Sequence, residues 1–229
     1  MNSPLPRQIT AIIKKDFQRE MRSREIITTT VSFAVLLMVI FAFGFYTHDE
    51  NISLIFPGTL WISVVFTSTL AITRTFQHEK DGDCLRALAL IPGSEYSLYI
   101  GKFLVNLSFI LLFELFLFPL LLLAFSVDIG NDLAIHIVTL LVGTIGIAAL
   151  GTLVSAMLVR NELREVLLPI VLYPLLIPLL IAGVIITSTL MEGGGLEAVQ
   201  GWLQAMIAMD LAYFVLSAGL FRWVLSAIE

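Results

Sequence analysis

Apolar residues in this chain come in long, nearly unbroken runs instead of the short alternations of a soluble domain. Six runs can be drawn: Ile26–Tyr46, Leu54–Thr73, Leu98–Phe125, Leu133–Val159, Val166–Leu190 and Leu203–Leu225. A helix needs about 20 apolar residues to cross the roughly 30 Å hydrocarbon layer, so each run predicts a spanning helix. Ahead of them, residues 7–24 follow another pattern. Ile9, Ile13, Phe17 and Met21 recur every four positions with Ile12 alongside, while Lys14, Lys15, Arg19 and Arg22 fill much of the rest. This predicts an amphipathic helix lying in the interface, apolar side in lipid and cations near anionic headgroups. Pro6 suits its first turn. The competing reading is a positive flank that only sets topology.

The longest polar interval, residues 74–101, separates the second and third runs. Within it Leu85 and Leu88 lie three apart, Cys84 and Ile91 extend the same face, Asp81 or Asp83 can cap the start, and Pro92-Gly93 stops it. The pattern predicts a short amphipathic helix, too short to be stable alone. It must dock either on the chain's own ends or on a partner. Gly143, Gly146 and Gly151, with Ala148, Ala149, Ser155 and Ala156, predict close helix approach along the fourth run, within the chain or between subunits. The fifth run carries Pro169, Pro174 and Pro178, which predict a kinked or broken helix, either a moving part or a structural bend. Trp61, Trp202 and Trp223 fall near run ends, where interfacial aromatics are expected.

Charge adds direction. The thirteen Lys and Arg residues can all be placed on one side of the membrane: Arg7 to Arg24 before the first run, Arg74, Lys80, Arg86 and Lys102 around the second loop, Arg160 and Arg164 after the fourth run, and Arg222 at the end of the sixth. The alternate loops carry Asp49, Glu50, Asp128, Asp132, Glu192 and Glu197 instead. Positive loops stay in the cytoplasm, so both termini are expected inside. With 58% hydrophobic and 14% charged residues, the composition excludes a soluble globule and a disordered chain. The net charge of −5 is an acidic excess that sits mainly in the outer loops, where no cation offsets it, and carries no sign of nucleic-acid binding. The lone Cys84 excludes an intramolecular disulfide. The run beginning at Ile26 is expected to be retained as the first span, not cleaved as a signal.

The chemistry is sparse. Gly101-Lys102 lacks the glycine spacing of a phosphate-binding loop, and Gly193-Gly194-Gly195 has no lysine. No catalytic residue, metal site or cofactor of this chain is expected. His48, His78 and His136 are scattered; a heme or metal ligand is the alternative for His48 or His136, but all three read best as interfacial or solvent-facing side chains. Two acids, Glu114 and Asp210, fall inside the third and sixth runs at similar depth in the outer half of the bilayer, with no cation of this chain beside them. A carboxylate there is expensive, so each should be neutralised, hydrogen-bonded, or facing a wet cavity or another subunit. They are expected to share one polar site between the third and sixth spans or at a subunit contact.

Several stretches together carry a resemblance: Lys15-Asp16-Phe17 and Arg22-Ser23-Arg24-Glu25 before the first run; Pro57-Gly58-Thr59-Leu60-Trp61 opening the second; Phe76, Glu79, Gly82, Leu85, Leu88, Pro92 and Gly101-Lys102 in the loop; and Leu168-Pro169 through Pro174 to Ile177-Pro178-Leu179 in the fifth. The chain resembles the membrane subunits of export-type ABC transporters, and within them the heme exporter B (CcmB) family, along nearly its whole length. It departs from that family at Arg86, where many relatives carry an acid, and in a Gly82-to-leucine spacing one residue longer. The resemblance implies an all-α membrane protein in which residues 1–229 form one six-span transmembrane domain. Residues 1–25 would be its interfacial helix, and the 74–101 loop would dock on a separate ATPase through Glu79, Gly82, Leu85, Leu88 and Pro92.

It further implies a subunit that is not itself an enzyme, in the bacterial inner membrane, serving cytochrome c biogenesis. The implied partners are an ATP-binding subunit (CcmA-like), a heme-handling membrane protein (CcmC-like), a small helper (CcmD-like), a heme chaperone (CcmE-like), and a second permease chain, identical or different. ATP would be bound by the partner and heme handled by the complex. Two other readings stand beside it: an ABC exporter of a lipid, drug or polysaccharide, and an ion-coupled secondary carrier using Glu114 and Asp210. The carrier leaves the docking loop unexplained and lacks visible internal repeats.

The charge asymmetry makes a direct test. Cysteines introduced at Asn51, Asn131 and Gly194 are expected to react with an impermeant thiol reagent from outside the cell. Labelling confined to the opposite loops would overturn the assignment.

Overall fold

The computed structural model describes residues 4–44, 52–76, 94–127 and 129–226, and among these the secondary structure is entirely helical. The elements are α1 (Pro4–Ser23), α2 (Glu25–Gly44), α3 (Ile52–Arg74), α4 (Ser94–Phe125), α5 (Leu133–Met157), α6 (Arg164–Met191) and α7 (Leu196–Ser226), with a 3-10 turn, Gly130–Asp132, leading into α5. Helices α3 to α7 are long and apolar enough to cross a membrane. Helix α2 has 20 residues, and its described apolar stretch is Val31–Phe41. Helices α4 and α7 begin ahead of their apolar runs, with Glu95 and Glu197 in their first turns. An acid there interacts favourably with the helix N-terminus, so the helix extends beyond the hydrophobic stretch that betrays it.

Helix α5 is the centre of the bundle, packing against α3, α4, α6 and α7. Its small residues explain how. Gly151 faces Ile72 of α3, Gly146 faces Asp210 of α7, and Gly143 faces Trp61 of α3. The glycine-rich stripe therefore serves packing within the chain. Trp61 departs from expectation: it is 1% exposed, not interfacial. Gly143 of α5 and Gly183 of α6 flank its ring, and a Cβ at either would overlap the indole. Its Nε1 donates to Thr187 Oγ1 of α6 at 3.1 Å, which satisfies the one polar group a buried tryptophan brings. Trp202 and Trp223 are exposed, as their positions near run ends suggest.

Helix α6 stays a single element through Pro169, Pro174 and Pro178 and is not broken. Leu168, Leu172, Leu176, Leu179, Gly183, Ile186 and Leu190 form its buried stripe at three- and four-residue spacing. Pro174 and Pro178 stand exposed and Pro169 half-buried off that stripe. The missing donors thus fall where packing of the stripe holds the helix together. On α3, Thr59, Ser63, Thr67, Thr69 and Thr73 each donate to the carbonyl four residues earlier, so these five hydroxyls need no solvent; the buried Ser68 Oγ has no partner among the described residues.

Helix α1 is amphipathic, but its apolar side meets α4 instead of lipid. Ile9, Ile12, Ile13, Asp16, Phe17 and Glu20 form the covered stripe, whereas Met21 is 73% exposed. Four residues advance a helix by about 400°, so a strict four-residue repeat drifts roughly 40° per step and leaves the face by its fourth member. Phe17 stacks on Phe109 at 5.0 Å, and Ile13 joins it against Ala71, Val105 and Phe113.

The tryptophan slot sets a stability test. Gly183→Ala is expected to cost about 1–3 kcal/mol by overpacking against Trp61. Gly219→Ala, where a Cβ meets nothing within 4 Å, should be neutral or slightly stabilising. Thermal unfolding in detergent compares the two, and equal transitions would refute the tight slot.

Candidate functional site

The most charged buried place among the described residues lies where α1, the end of α3 and the start of α4 meet. Lys102, two turns into α4, is 1% exposed. Its Nζ lies 2.8 Å from Asp16 Oδ2 of α1, donates to the Thr75 carbonyl at 2.9 Å, and stands 5.1 Å from the centre of the Phe76 ring. An ammonium has three protons to give and no acceptor. Here it finds a carboxylate, a carbonyl freed at a helix end, and an aromatic face. Asp16 also meets the exposed Lys15 at 3.2 Å.

Local packing brings these groups together. Ile12 of α1 sits against Gly101, where an added Cβ would come within 3.0 Å of Ile12 Cγ2. Ser97 Oγ donates to Gln8 Oε1 at 2.6 Å. Thr75 Oγ1 donates to Asn106 Oδ1 at 2.5 Å, and Asn106 Nδ2 donates to Thr152 Oγ1 of α5 at 2.8 Å. Ser155 Oγ of α5 donates to the Ile72 carbonyl at 3.1 Å. Phe76 is fully buried among Leu98, Tyr99, Leu153 and Phe221. The last turn of α3 is thereby tied to α1, α4 and α5 immediately before residue 77.

The expected docking residues, Glu79, Gly82, Leu85, Leu88 and Pro92, lie outside the described residues. His48, His78 and Cys84 do too. The structure does assemble other stretches that carried the resemblance: Asp16, Phe17, Phe76, Gly101 and Lys102 converge at this junction. By sequence Lys102 is a loop-edge cation that sets topology; the structure buries it. Two signals could have found the pair. Asp16 is an acid on the apolar stripe of a basic helix, and Lys102 is a cation several residues inside an apolar run.

The two intramembrane acids are both buried but do not share a site. Thr144 Oγ1 of α5 lies 2.5 Å from Glu114 Oε1 and 2.8 Å from the Leu140 carbonyl. A hydroxyl has one hydrogen to give, so it does not serve both acceptors at once. Asp210 is 5% exposed, its Oδ1 has no hydrogen-bond partner among the described residues, and it presses on Gly146 of α5. Thr144 and Gly146 are two residues apart, about 200° around the helix. Helix α5 therefore stands between the acids, and the expected common site between the third and sixth spans is replaced by two separate contacts on opposite sides of the fourth. Position along each helix was legible; rotation about α5 was not.

His136 is also placed differently from expectation. It is 3% exposed, with Nδ1 3.0 Å from the Asp132 carbonyl and its ring 6.4 Å from that of Phe118. One turn of helix brings the carbonyl of residue 132 to Nδ1, while the buried Nε2 has no partner among the described residues.

Comparison with known proteins adds an independent line. The family model described as "CcmB protein" matches residues 7–222. Three relatives are each named "Heme exporter protein B". The one from Haemophilus influenzae is 26% identical over 215 residues, covering 91% of this chain and 95% of that protein. The one from Pseudomonas aeruginosa is 23% identical, covering 87% and 89%. The one from Rhodobacter capsulatus is 24% identical, covering 88% and 92%.

The buried ion pair yields a stability cycle. Asp16→Asn removes the counter-charge from a buried ammonium and should destabilise the α1–α4 contact by about 3–5 kcal/mol. The paired replacement Asp16→Leu with Lys102→Met removes both charges and should recover most of that loss. Detergent melting and protease sensitivity of α1 report the outcome. Two variants equally unstable would show that the pair does not hold the helix.

Proposed function

The chain belongs to the CcmB protein family, and from that premise we propose that it is the membrane permease subunit of an ABC complex in bacterial cytochrome c biogenesis. It has no ATPase of its own in this reading. A separate CcmA-like ATPase closes on ATP, and the membrane chain converts that closure into helix movement. The movement serves heme export or the release of a heme-loaded CcmE-like chaperone, with CcmC-like and CcmD-like proteins as membrane partners. The chain sits in the inner membrane with six spans, α2 to α7, both termini cytoplasmic, and a second permease chain beside it.

The observation that carries the proposal is the Lys102 junction. The expected docking segment, with Glu79, Gly82, Leu85, Leu88 and Pro92, lies between Phe76 and Ser94. At one side of that segment the chain is fastened through Thr75, Phe76 and Lys102 to α1, and through Asn106 and Ser155 to α5. A force applied to the segment by an ATPase would reach the surface helix and the central helix over a few bonds. Buried, hydrogen-bonded groups of this kind move as a unit because leaving one unsatisfied is costly. Neither an ion-coupled carrier nor a passive channel needs such a fastening at a cytoplasmic loop. An ABC exporter of another substrate would use the same device, and the family membership argues for cytochrome c biogenesis over that alternative.

The mechanism then depends on docking. Leu85→Asp with Leu88→Asp is expected to abolish co-purification of the ATPase while the chain still inserts, and heme-stained c-type cytochromes should fall to background. Undiminished co-purification together with normal cytochrome levels would reject the role.

A further inference from the structure

The outer surface of α4 and α5 carries a groove of about 680 Å³ that this functional reading leaves unused. Apart from Ser108 and Glu114, every residue lining it is apolar. Leu115, Ile137 and Leu141 stand exposed at its walls. Glu114 itself is 6% exposed. Thr144 is its only hydrogen-bond partner among the described residues, and that hydroxyl is shared with the Leu140 carbonyl. Intramembrane acids normally turn to the bundle interior or to a partner cation. This one lines a groove on the outside of the helix pair.

We propose that the groove between α4 and α5 is the seat of a transmembrane helix from a different membrane protein, one that brings a Lys or Arg to Glu114. An acyl chain would fill the apolar walls but offers the carboxyl nothing. A second copy of this chain fits poorly as well. Lys102 lies twelve residues before Glu114, roughly 18 Å away along the helix, and is held by Asp16. The other cations fall outside the apolar runs or at their ends, so a copy in the same orientation has none at the required depth. The partner's chemistry follows by complementarity: an apolar helix face with one cation, because acids and bases inside membranes pair with one another. The proposal rests on the chain being one subunit of a larger membrane assembly, but not on the ATPase contact.

The test uses the full chain in cells that carry its complete maturation machinery, with the photoreactive residue p-benzoylphenylalanine in place of Leu115 or Ile137. Ile181 on α6 and Val215 on α7 are exposed controls on other helices. Both groove positions should crosslink to one and the same other membrane protein. Mass spectrometry should place the adduct on a spanning helix bearing a Lys or Arg, and the control positions should not give it. Glu114→Leu should reduce the adduct about 3- to 30-fold, the range of one interhelical polar contact in a membrane. Removing the partner's cation should do the same, with no further loss in the double variant. If Glu114→Leu does not accumulate, Leu141→Trp fills the groove while keeping the carboxyl and must produce an equal loss. Adducts only to a second copy or only to lipid would overturn the proposal, as would a partner segment without a cation or a yield indifferent to these substitutions. Absence of the adduct with ATPase co-purification intact sinks the groove assignment alone. Absence of both sinks the subunit reading with it.

Discussion

Hydrocarbon offers no hydrogen bonds, and the arrangement of this molecule follows from that constraint. Each polar group drawn into the bundle has to be answered by another part of the chain. Most hydroxyls of α3 turn back on their own helix. The Trp61 indole reaches Thr187 across two helices. The Lys102 ammonium collects a carboxylate, a carbonyl and a ring face. The answer is incomplete at Ser68 Oγ, His136 Nε2, Ser217 Oγ and Asp210 Oδ1, which have no partner among the described residues, and Glu114 shares its one partner hydroxyl with a carbonyl.

Small residues make the rest possible. Without a strong hydrophobic drive between helices in lipid, association depends on close van der Waals contact. Helix α5 provides it by giving up side chains at Gly143, Gly146 and Gly151, each opposite a larger group on a neighbour. Through these contacts the central helix touches α3 and α7 directly, while Asn106 and Thr152 join it to α4 by a polar bond. The same α5 therefore carries both the packing of the membrane portion and a branch of the Lys102 junction. Movement at the end of α3 is not mechanically separate from movement of the bundle.

Several features were legible in the sequence for direct reasons. Run length fixed which segments form long apolar helices, because the bilayer sets the length. The 74–101 interval stood out as the longest polar break, and the docking residues expected in it lie outside the described residues. The family was legible from scattered short stretches, and the match over residues 7–222 agrees with it. The periodicity of α1 was read correctly as amphipathic, but its partner was not, since lipid and an apolar helix face demand the same side chains.

The amino-acid sequence by itself determined the helical class, the membrane character and the position of each polar residue along its helix, because these depend on run length and on a helix of fixed rise. Tertiary structure alone decided rotation and neighbours. It turned Trp61 inward, since two glycines far downstream, Gly143 and Gly183, open a slot for it. It placed Asp16 beside Lys102, 86 residues away. It set Glu114 and Asp210 on opposite sides of α5, though their depth had suggested a shared site. Azimuth around a nearly uniformly apolar helix leaves little trace in composition, because lipid-facing and helix-facing positions are apolar alike. Only the contacts distinguish them.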